Sequence, residues 1–168
     1  IAMKILVSQC LLGSACRWDG QPSADLLSWL SQHGILESEI LALCPETLGD
    51  LSTPRPPVEI VGGRGKSVLL GKARIETQAG KDKTGAFLTG AYRVLHAVKV
   101  AGVRVALLKS KSPSCGVHQI YDGTFSRRLV SGKGLTAELL AQMGITLFDE
   151  CELDALAAFL ESEVKKQI

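Results

Sequence analysis

Apolar and polar residues alternate along the chain in blocks that predict strands and helices in turn. Unbroken apolar runs are typical of strands buried in a parallel sheet, and they occur at residues 4–9, 39–44, 103–110 and 145–148. A further strand, at the edge of the sheet, is predicted at residues 68–76. The spacing of apolar residues predicts helices at 24–33, 84–100, 134–143 and 152–166. This order predicts an α/β fold in one domain spanning residues 1–168, a Rossmann-like sandwich with a mostly parallel sheet flanked by helices.

A long segment, residues 45–65, interrupts the pattern. It holds four of the chain's six prolines, at positions 45, 54, 56 and 57. Since the fixed φ of proline stiffens the backbone and disfavours helix, we expect an ordered, irregular loop without helix. Loops of this length in compact domains are often functional. Elsewhere Gly102 is predicted to end a helix, Asp82 or Thr84 to cap its start, and YDGTFS (121–126) to form a turn.

The composition argues against several classes of function. Of 168 residues, 46% are hydrophobic and 21% charged, and the net charge of +2 is too small to indicate nucleic-acid binding. No apolar run is long enough to cross a membrane, and the first residues lack the features of a signal peptide. We therefore expect a cytoplasmic protein that starts natively at Met3, with Ile1 and Ala2 as added residues. Five cysteines in a reducing compartment favour metal binding or catalysis over disulfides.

Three of these cysteines, Cys10, Cys44 and Cys115, each follow an apolar run that predicts a strand. The carboxyl ends of parallel strands meet at one edge of a sheet, where ligands bind. Three thiols at that edge suggest a zinc or iron–sulfur site, because thiolate is a soft ligand. Cys16 lies in a polar loop and is a less certain ligand. Cys151 is flanked by acidic residues, which disfavour thiolate, and is interpreted as structural.

Charged and hydroxyl side chains accompany the thiols. Glu46, two residues after Cys44, can act as a general acid or base at a bound ligand. The segment SKSPSCG (110–116) offers hydroxyls, and its backbone amides favour a thiolate at Cys115. Arg17, Asp19 and Arg55 lie in loops at the same edge and can bind a ligand, although loop salt bridges are an equally good interpretation. Buried structural cysteines and a solvated Glu46 are the alternatives for the other positions.

Four segments together resemble one small bacterial family, the 2-thiouracil desulfidases: SQCLLGSACRWDG, LCPETLGDLSTPRPPVEIVGG, KDKTGAF and LLKSKSPSCGVHQIYDGTF. The match runs in order from Lys4 to Glu150. The resemblance implies a 4Fe-4S cluster held by three cysteines, which leaves one iron without a protein ligand. The best matches for these ligands are Cys10, Cys44 and Cys115, with Cys16 as the alternative.

The resemblance also implies the reaction. The open iron takes up the sulfur of 2-thiouracil, and water replaces that sulfur, so that uracil and sulfide form without net oxidation or reduction. Glu46 and Ser112 are the expected proton-transfer residues. The expected substrate contacts are Arg17, Asp19, Arg55 and Ser114. A free thiolated pyrimidine is the expected substrate, and thiolated transfer RNA stays an alternative. Gln9 departs from the alanine common at this position in the family.

Two other functions compete with this one. The thiols can hold zinc or a cluster in a non-catalytic or redox-sensing module, or Cys115 can act as the nucleophile of a metal-free enzyme. Structural zinc usually has four protein ligands in two close pairs, which this chain does not offer.

Overall fold

The architecture is a three-layer α/β sandwich, and the computed structural model describes residues 3–167 of it. The central sheet has four parallel strands in the order β2-β1-β5-β8. These strands are β1 (Ile5–Ser8), β2 (Ile40–Leu43), β5 (Val105–Leu108) and β8 (Thr146–Asp149). The four apolar runs therefore form one sheet, and the α/β prediction is confirmed.

Helices cover both faces of this sheet. They are α1 (Leu27–Gln32), α4 (Thr84–Ala101), α5 (Leu135–Gln142) and α6 (Leu153–Lys166). Alternate residues of a strand point to opposite faces. Ile5 and Val7 of β1 accordingly pack in one core with residues of α1 and α6, whereas Leu6 packs in a second core with residues of α4 and α5. The molecule thus has two apolar layers separated by the sheet.

Two antiparallel strand pairs lie outside the central sheet. The first joins β3 (Val58–Val61) to β4 (Arg74–Thr77), and the second joins β6 (Gln119–Tyr121) to β7 (Leu129–Ser131). The predicted turn YDGTFS connects β6 to β7. The prediction of a strand at 68–76 on the edge of the main sheet is wrong. Its first residues belong to helix α3 (Gly65–Leu69), and its last residues pair with β3.

The proline-rich segment contains a helix that the sequence pattern did not predict. Helix α2 (Pro45–Leu48) begins at Pro45, where proline is tolerated because the first turn needs no N–H donor. It packs closely on α4, since a Cβ at Gly90 would lie 1.9 Å from the Pro45 carbonyl oxygen. Only glycine fits there, and the contact fixes the position of α2 and of the residues it carries.

The end of α4 agrees with the sequence signal, whereas the predicted cap at Asp82 or Thr84 is wrong, because Lys83 is the N-cap and its side chain caps no N–H group. The Thr84 N–H donates to Asp82 Oδ1 over 2.9 Å at its start. Gly102, with a φ of 70°, ends it in the left-handed conformation that glycine adopts without strain. Within residues 3–167, no helix is both long and apolar enough to span a bilayer.

Candidate metal centre

The carboxyl ends of β1 and β2 bring three thiols together. Cys10 lies in a 3₁₀ turn that follows β1 directly, and Cys44 is the residue before α2. The Cys16 thiol stands beside the thiols of both Cys10 and Cys44 and lowers the pKa of each. The Cys44 Sγ lies 3.9 Å from the Cys16 carbonyl oxygen, and all three cysteines are buried. The structure therefore places Cys16 inside the thiol group.

The pKa shifts in this group favour the thiolate form of Cys10 and Cys44. The hydrogen bond from Cys16 outweighs burial and lowers the pKa of Cys44 to about 5. The same donor lowers the pKa of Cys10, helped by the Ser23 hydroxyl, which donates to the Cys10 sulfur over 3.4 Å. The pKa of Cys16 is raised, because its proton is held between the other two sulfurs. Thiolate is the form that binds metal.

Cys115 reaches the group from the opposite layer of the sandwich. It packs in the core that contains α4 and α5, whereas the other three thiols pack in the core that contains α1 and α6. Burial raises the pKa of Cys115, the Ser8 hydroxyl opposes this, and the charges of Cys44 and Cys10 raise the pKa further. The three predicted ligands thus lie within electrostatic reach of one another. Cys151 is exposed and follows β8.

Ser112 holds the Cys115 turn in place. Its Oγ accepts hydrogen bonds from the backbone N–H groups of Ser114 and Cys115, over 3.1 and 3.0 Å. Both acceptor positions of the hydroxyl are therefore occupied, and its own hydrogen is left to donate. Ser114 is 1% exposed, and its hydroxyl pairs with that of Thr136 in α5. This placement argues against the predicted substrate contact of Ser114.

Glu46 and Arg55 form a buried ion pair beside the thiols. The Arg55 Nε donates to Glu46 Oε1 over 3.0 Å, and the two side chains are 5% and 19% exposed. Burial raises the pKa of Glu46; Arg55 opposes the shift and the Cys44 charge adds to it. The other nitrogens of Arg55 donate to the carbonyls of Ser52 and Cys16 and to the Thr53 hydroxyl. We infer that Arg55 orients Glu46, and not that it clamps a substrate as predicted.

Arg17 and Asp19 pair with each other. Their side chains approach within 3.8 Å and are about one-third exposed, at 33% and 30%. Asp19 also accepts a hydrogen bond from the Gln21 N–H. Exposed pairs of this kind contribute little free energy. The geometry matches the loop salt bridge, the alternative interpretation of these charges.

A polar network joins the ends of β5 and β8. Its charged members, Lys109 and Glu150, were not among the site residues predicted from the sequence. Glu150 accepts hydrogen bonds from the Ser110 N–H, the Ser110 hydroxyl and the Lys109 ammonium. The Lys109 N–H donates to the Ser8 hydroxyl over 2.9 Å. These hydrogen bonds hold the start of the Cys115 turn against β1 on one side and against the end of β8 on the other. The charges of Lys109 and Glu150 were visible in the sequence. Their pairing, however, depends on the order of the strands, which places β5 beside β8.

The spacing of the thiols discriminates between metal types. No three cysteine sulfurs in the described part of the chain lie within 4.8 Å of one another. A tetrahedral zinc ion, with bonds of about 2.3 Å to sulfur, would need its sulfurs roughly 3.8 Å apart. An iron–sulfur cluster binds one thiolate per iron and so spreads its ligands more widely. Buried, wider-spaced thiolates therefore fit a cluster better than a single ion.

Comparison with known proteins identifies the family. The model of the 2-thiouracil desulfurase family matches residues 5–152. The chain belongs to this family. The uncharacterized protein YbbK of Bacillus subtilis strain 168 is 43% identical over 150 residues, which cover 89% of this chain and 97% of YbbK. The solved structure of TudS, a 4Fe-4S-dependent thiouracil desulfidase, is 42% identical with a TM-score of 0.82, and covers 95% of this chain and 98% of its own.

These matches confirm the resemblance seen in the sequence motifs. The family match includes Cys10, Cys16, Cys44 and Cys115, as well as Glu46. The assignment of three of the four cysteines as ligands stays a prediction.

The Cys16→Ser variant tests that assignment. We expect it to retain iron close to the wild-type level, because Cys10, Cys44 and Cys115 supply the thiolates and Cys16 keeps its proton. The measurement is iron per protein after anaerobic reconstitution of all four single variants. Loss of iron in the Cys16 variant, with retention in any of the other three, would make Cys16 a ligand.

Proposed function

We propose that this protein is a 4Fe-4S-dependent desulfidase that converts 2-thiouracil to uracil and sulfide without net oxidation or reduction. The observation that carries the proposal is the group of buried thiols Cys10, Cys16 and Cys44 at one sheet edge, with Cys115 near enough for the charges of Cys10 and Cys44 to raise its pKa, in a member of the 2-thiouracil desulfurase family. The similar protein of known structure is described as 4Fe-4S-dependent, and the buried thiolates of this chain suit the same cofactor.

Cys10, Cys44 and Cys115 are the proposed ligands. Three thiolates leave one iron of a four-iron cluster open to the substrate. When bound, the cluster supplies a Lewis acid whose soft iron favours the sulfur of the thiocarbonyl over oxygen ligands. The charge interactions among the three thiols support this assignment, because binding to the metal offsets the repulsion between thiolates.

Glu46 and Ser112 are the proposed proton-transfer residues. The replacement of sulfur by oxygen consumes one water, which loses its protons, and releases sulfide, which gains them. Glu46 can take a proton from the attacking water at Oε2, since Oε1 is held by Arg55. Ser112 can relay a proton to the departing sulfur, because two backbone N–H groups occupy its acceptor positions and leave its own hydrogen free to donate, and it regains a proton from water.

A free thiolated pyrimidine is the proposed substrate. The net charge of +2 offers little attraction for transfer RNA, whose binding depends on the neutralisation of many phosphates. We also propose a reducing, cytoplasmic location, because all five cysteines are free and the ligands need to stay reduced.

The test is anaerobic purification followed by measurement of iron, acid-labile sulfide and 2-thiouracil turnover on one preparation. We expect brown protein with about four irons and four sulfides per chain, as a 4Fe-4S cluster requires, and uracil as the product. Colourless protein with bound zinc would support the non-catalytic module instead. Turnover by protein free of metal would support Cys115 as a nucleophile.

A further inference from the structure

Three hydroxyl groups lie beside the proposed cluster ligands, one for each sulfur. The pairs are Ser23 with Cys10, Thr47 with Cys44 and Ser8 with Cys115. In each pair the hydroxyl lowers the pKa of the thiol, as a hydrogen bond to the thiolate form does. The groups that act most on Cys16 are instead the thiols of Cys10 and Cys44. The hydroxyl contacts therefore accompany the same three cysteines that follow the strands.

Ser23 is held against Cys10 by its backbone as well as by its side chain. The N–H groups of Ser23 and Ala24 both donate to the Cys10 carbonyl, over 2.8 and 3.1 Å. In the reverse direction, the Gly13 N–H donates to the Ala24 carbonyl over 2.7 Å. Since the backbone makes these bonds, they persist when the side chain of Ser23 changes. The Ser23 hydroxyl donates to the Cys10 Sγ over 3.4 Å from this fixed position.

Ser8 has the same arrangement at the end of β1. It is 3% exposed, and its Oγ accepts a hydrogen bond from the Lys109 N–H over 2.9 Å. An accepted bond leaves the hydrogen of a hydroxyl free to donate. The nearby Cys115 sulfur, whose pKa Ser8 lowers, is an acceptor for that hydrogen. The contact of a hydroxyl with a ligand sulfur is thus repeated on the other side of the sheet.

A hydroxyl that donates to a metal-bound thiolate changes the metal and leaves the ligand in place. The sulfur has further lone pairs when one of them binds iron, so it can accept the hydrogen bond at the same time. The bond draws electron density away from the iron, and hydrogen bonds to sulfur are among the factors that set the reduction potential of a cluster. An iron with less electron density is also a stronger Lewis acid.

We propose that the Ser23 hydroxyl tunes the cluster through Cys10, by raising its reduction potential and strengthening the open iron as a Lewis acid toward the thiocarbonyl sulfur. The inference rests on the proposed function and adds a positioning residue to it. Ser23 acts through the ligand and needs no contact with the substrate. Ser8 and Thr47 act in the same direction on their own ligands.

The test compares Ser23→Ala with Ser28→Ala in cluster-loaded protein. Ser28 is exposed on α1, so its replacement makes the same atomic change five residues later, on the protein surface. An anaerobic redox titration followed by electron paramagnetic resonance gives the reduction potential. We expect a more negative potential in the Ser23 variant and an unchanged one in the Ser28 variant. Loss of a partner of a metal ligand typically costs about 10- to 100-fold in activity, so kcat/KM for 2-thiouracil should fall by that factor.

The conservative variant separates the hydroxyl from the shape of the side chain. Ser23→Thr keeps the donor, and we expect it to restore both the potential and kcat/KM. An unchanged potential in Ser23→Ala, an equal shift in Ser28→Ala, or no restoration by threonine would each overturn the inference. Loss of iron from Ser23→Ala would also overturn it, because the hydroxyl would then be needed to hold the ligand.

The wild-type protein distinguishes failure of this inference from failure of the proposed function. Wild-type protein that binds no cluster, or that does not turn over 2-thiouracil, overturns both. Wild-type turnover together with an unchanged potential in Ser23→Ala overturns only the role of Ser23.

Discussion

Replacement of Cys115 by serine is expected to abolish both iron binding and turnover. A serine hydroxyl stays protonated at neutral pH and is a hard oxygen donor, so it replaces a thiolate poorly on iron. With only three proposed ligands, the loss of one leaves two, Cys10 in the turn after β1 and Cys44 directly before α2. We expect iron per protein below about a tenth of the wild-type value after anaerobic reconstitution, measured together with absorbance near the cluster bands.

Cys151→Ser is the matched control for this variant. It makes the same atomic change at an exposed cysteine outside the thiol group, and surface changes usually alter stability by less than about 0.5 kcal/mol. It should keep its iron and its activity. Since Cys115 is 5% exposed, circular dichroism of both apoproteins separates loss of the ligand from loss of the fold. A folded Cys115 variant with full iron content would remove Cys115 from the ligands.

Replacement of Glu46 by glutamine is expected to preserve the cluster and remove most of the turnover. Glutamine keeps the shape and can still accept the hydrogen bond from Arg55, but it cannot take a proton from water. General acid–base catalysis contributes roughly 10²–10⁴-fold, so kcat should fall by about that factor. The measurements are iron content, absorbance and thiouracil turnover on the same preparation.

Ser112→Ala accompanies Glu46→Gln as a second test of proton transfer. We expect it to retain iron and lose turnover by a smaller factor than Glu46→Gln, because a water molecule can replace a single hydroxyl as a proton donor. Full activity in both variants would mean that water or another group moves the protons. Iron loss in the Ser112 variant would show that its hydrogen bonds to the Cys115 turn are needed for ligation, and not for catalysis.

The sequence predicted the central sheet because its two inner strands, β1 and β5, are buried on both faces. Continuous apolar runs such as Ile5–Ser8 and Val105–Leu108 have few alternatives in a chain of this length. Strands β3 and β4 were harder to recognise, since charged residues interrupt their apolar pattern and the two strands pair with each other outside the central sheet. Helix α2 was missed because the proline that usually disfavours helix stands at its first position.

The site was predictable only where its residues lie at the ends of recognisable strands. Cys10 and Cys44 directly follow strands, Cys115 lies in the turn after β5 and Glu46 stands beside Cys44, and the roles of all four stay predictions. The surroundings of the other predicted site residues depend on burial and on pairing with other side chains, and no local sequence pattern reveals either. The charges of Arg17 and Arg55 look alike in the sequence, yet Arg55 is buried against Glu46 and Arg17 is one-third exposed beside Asp19.

The division of the thiols between two apolar layers has a consequence for cooperativity. Without metal, the layer of α1 and α6 and the layer of α4 and α5 share the sheet and a few polar contacts, such as that of Arg55 with the Cys16 carbonyl, so each is able to open in separate steps of hydrogen exchange. A cofactor ligated by Cys10 and Cys44 from one layer and by Cys115 from the other ties the two together. Its binding free energy then adds to the unfolding free energy of both layers at once. With the cofactor bound, the two layers would thus unfold together in one cooperative step.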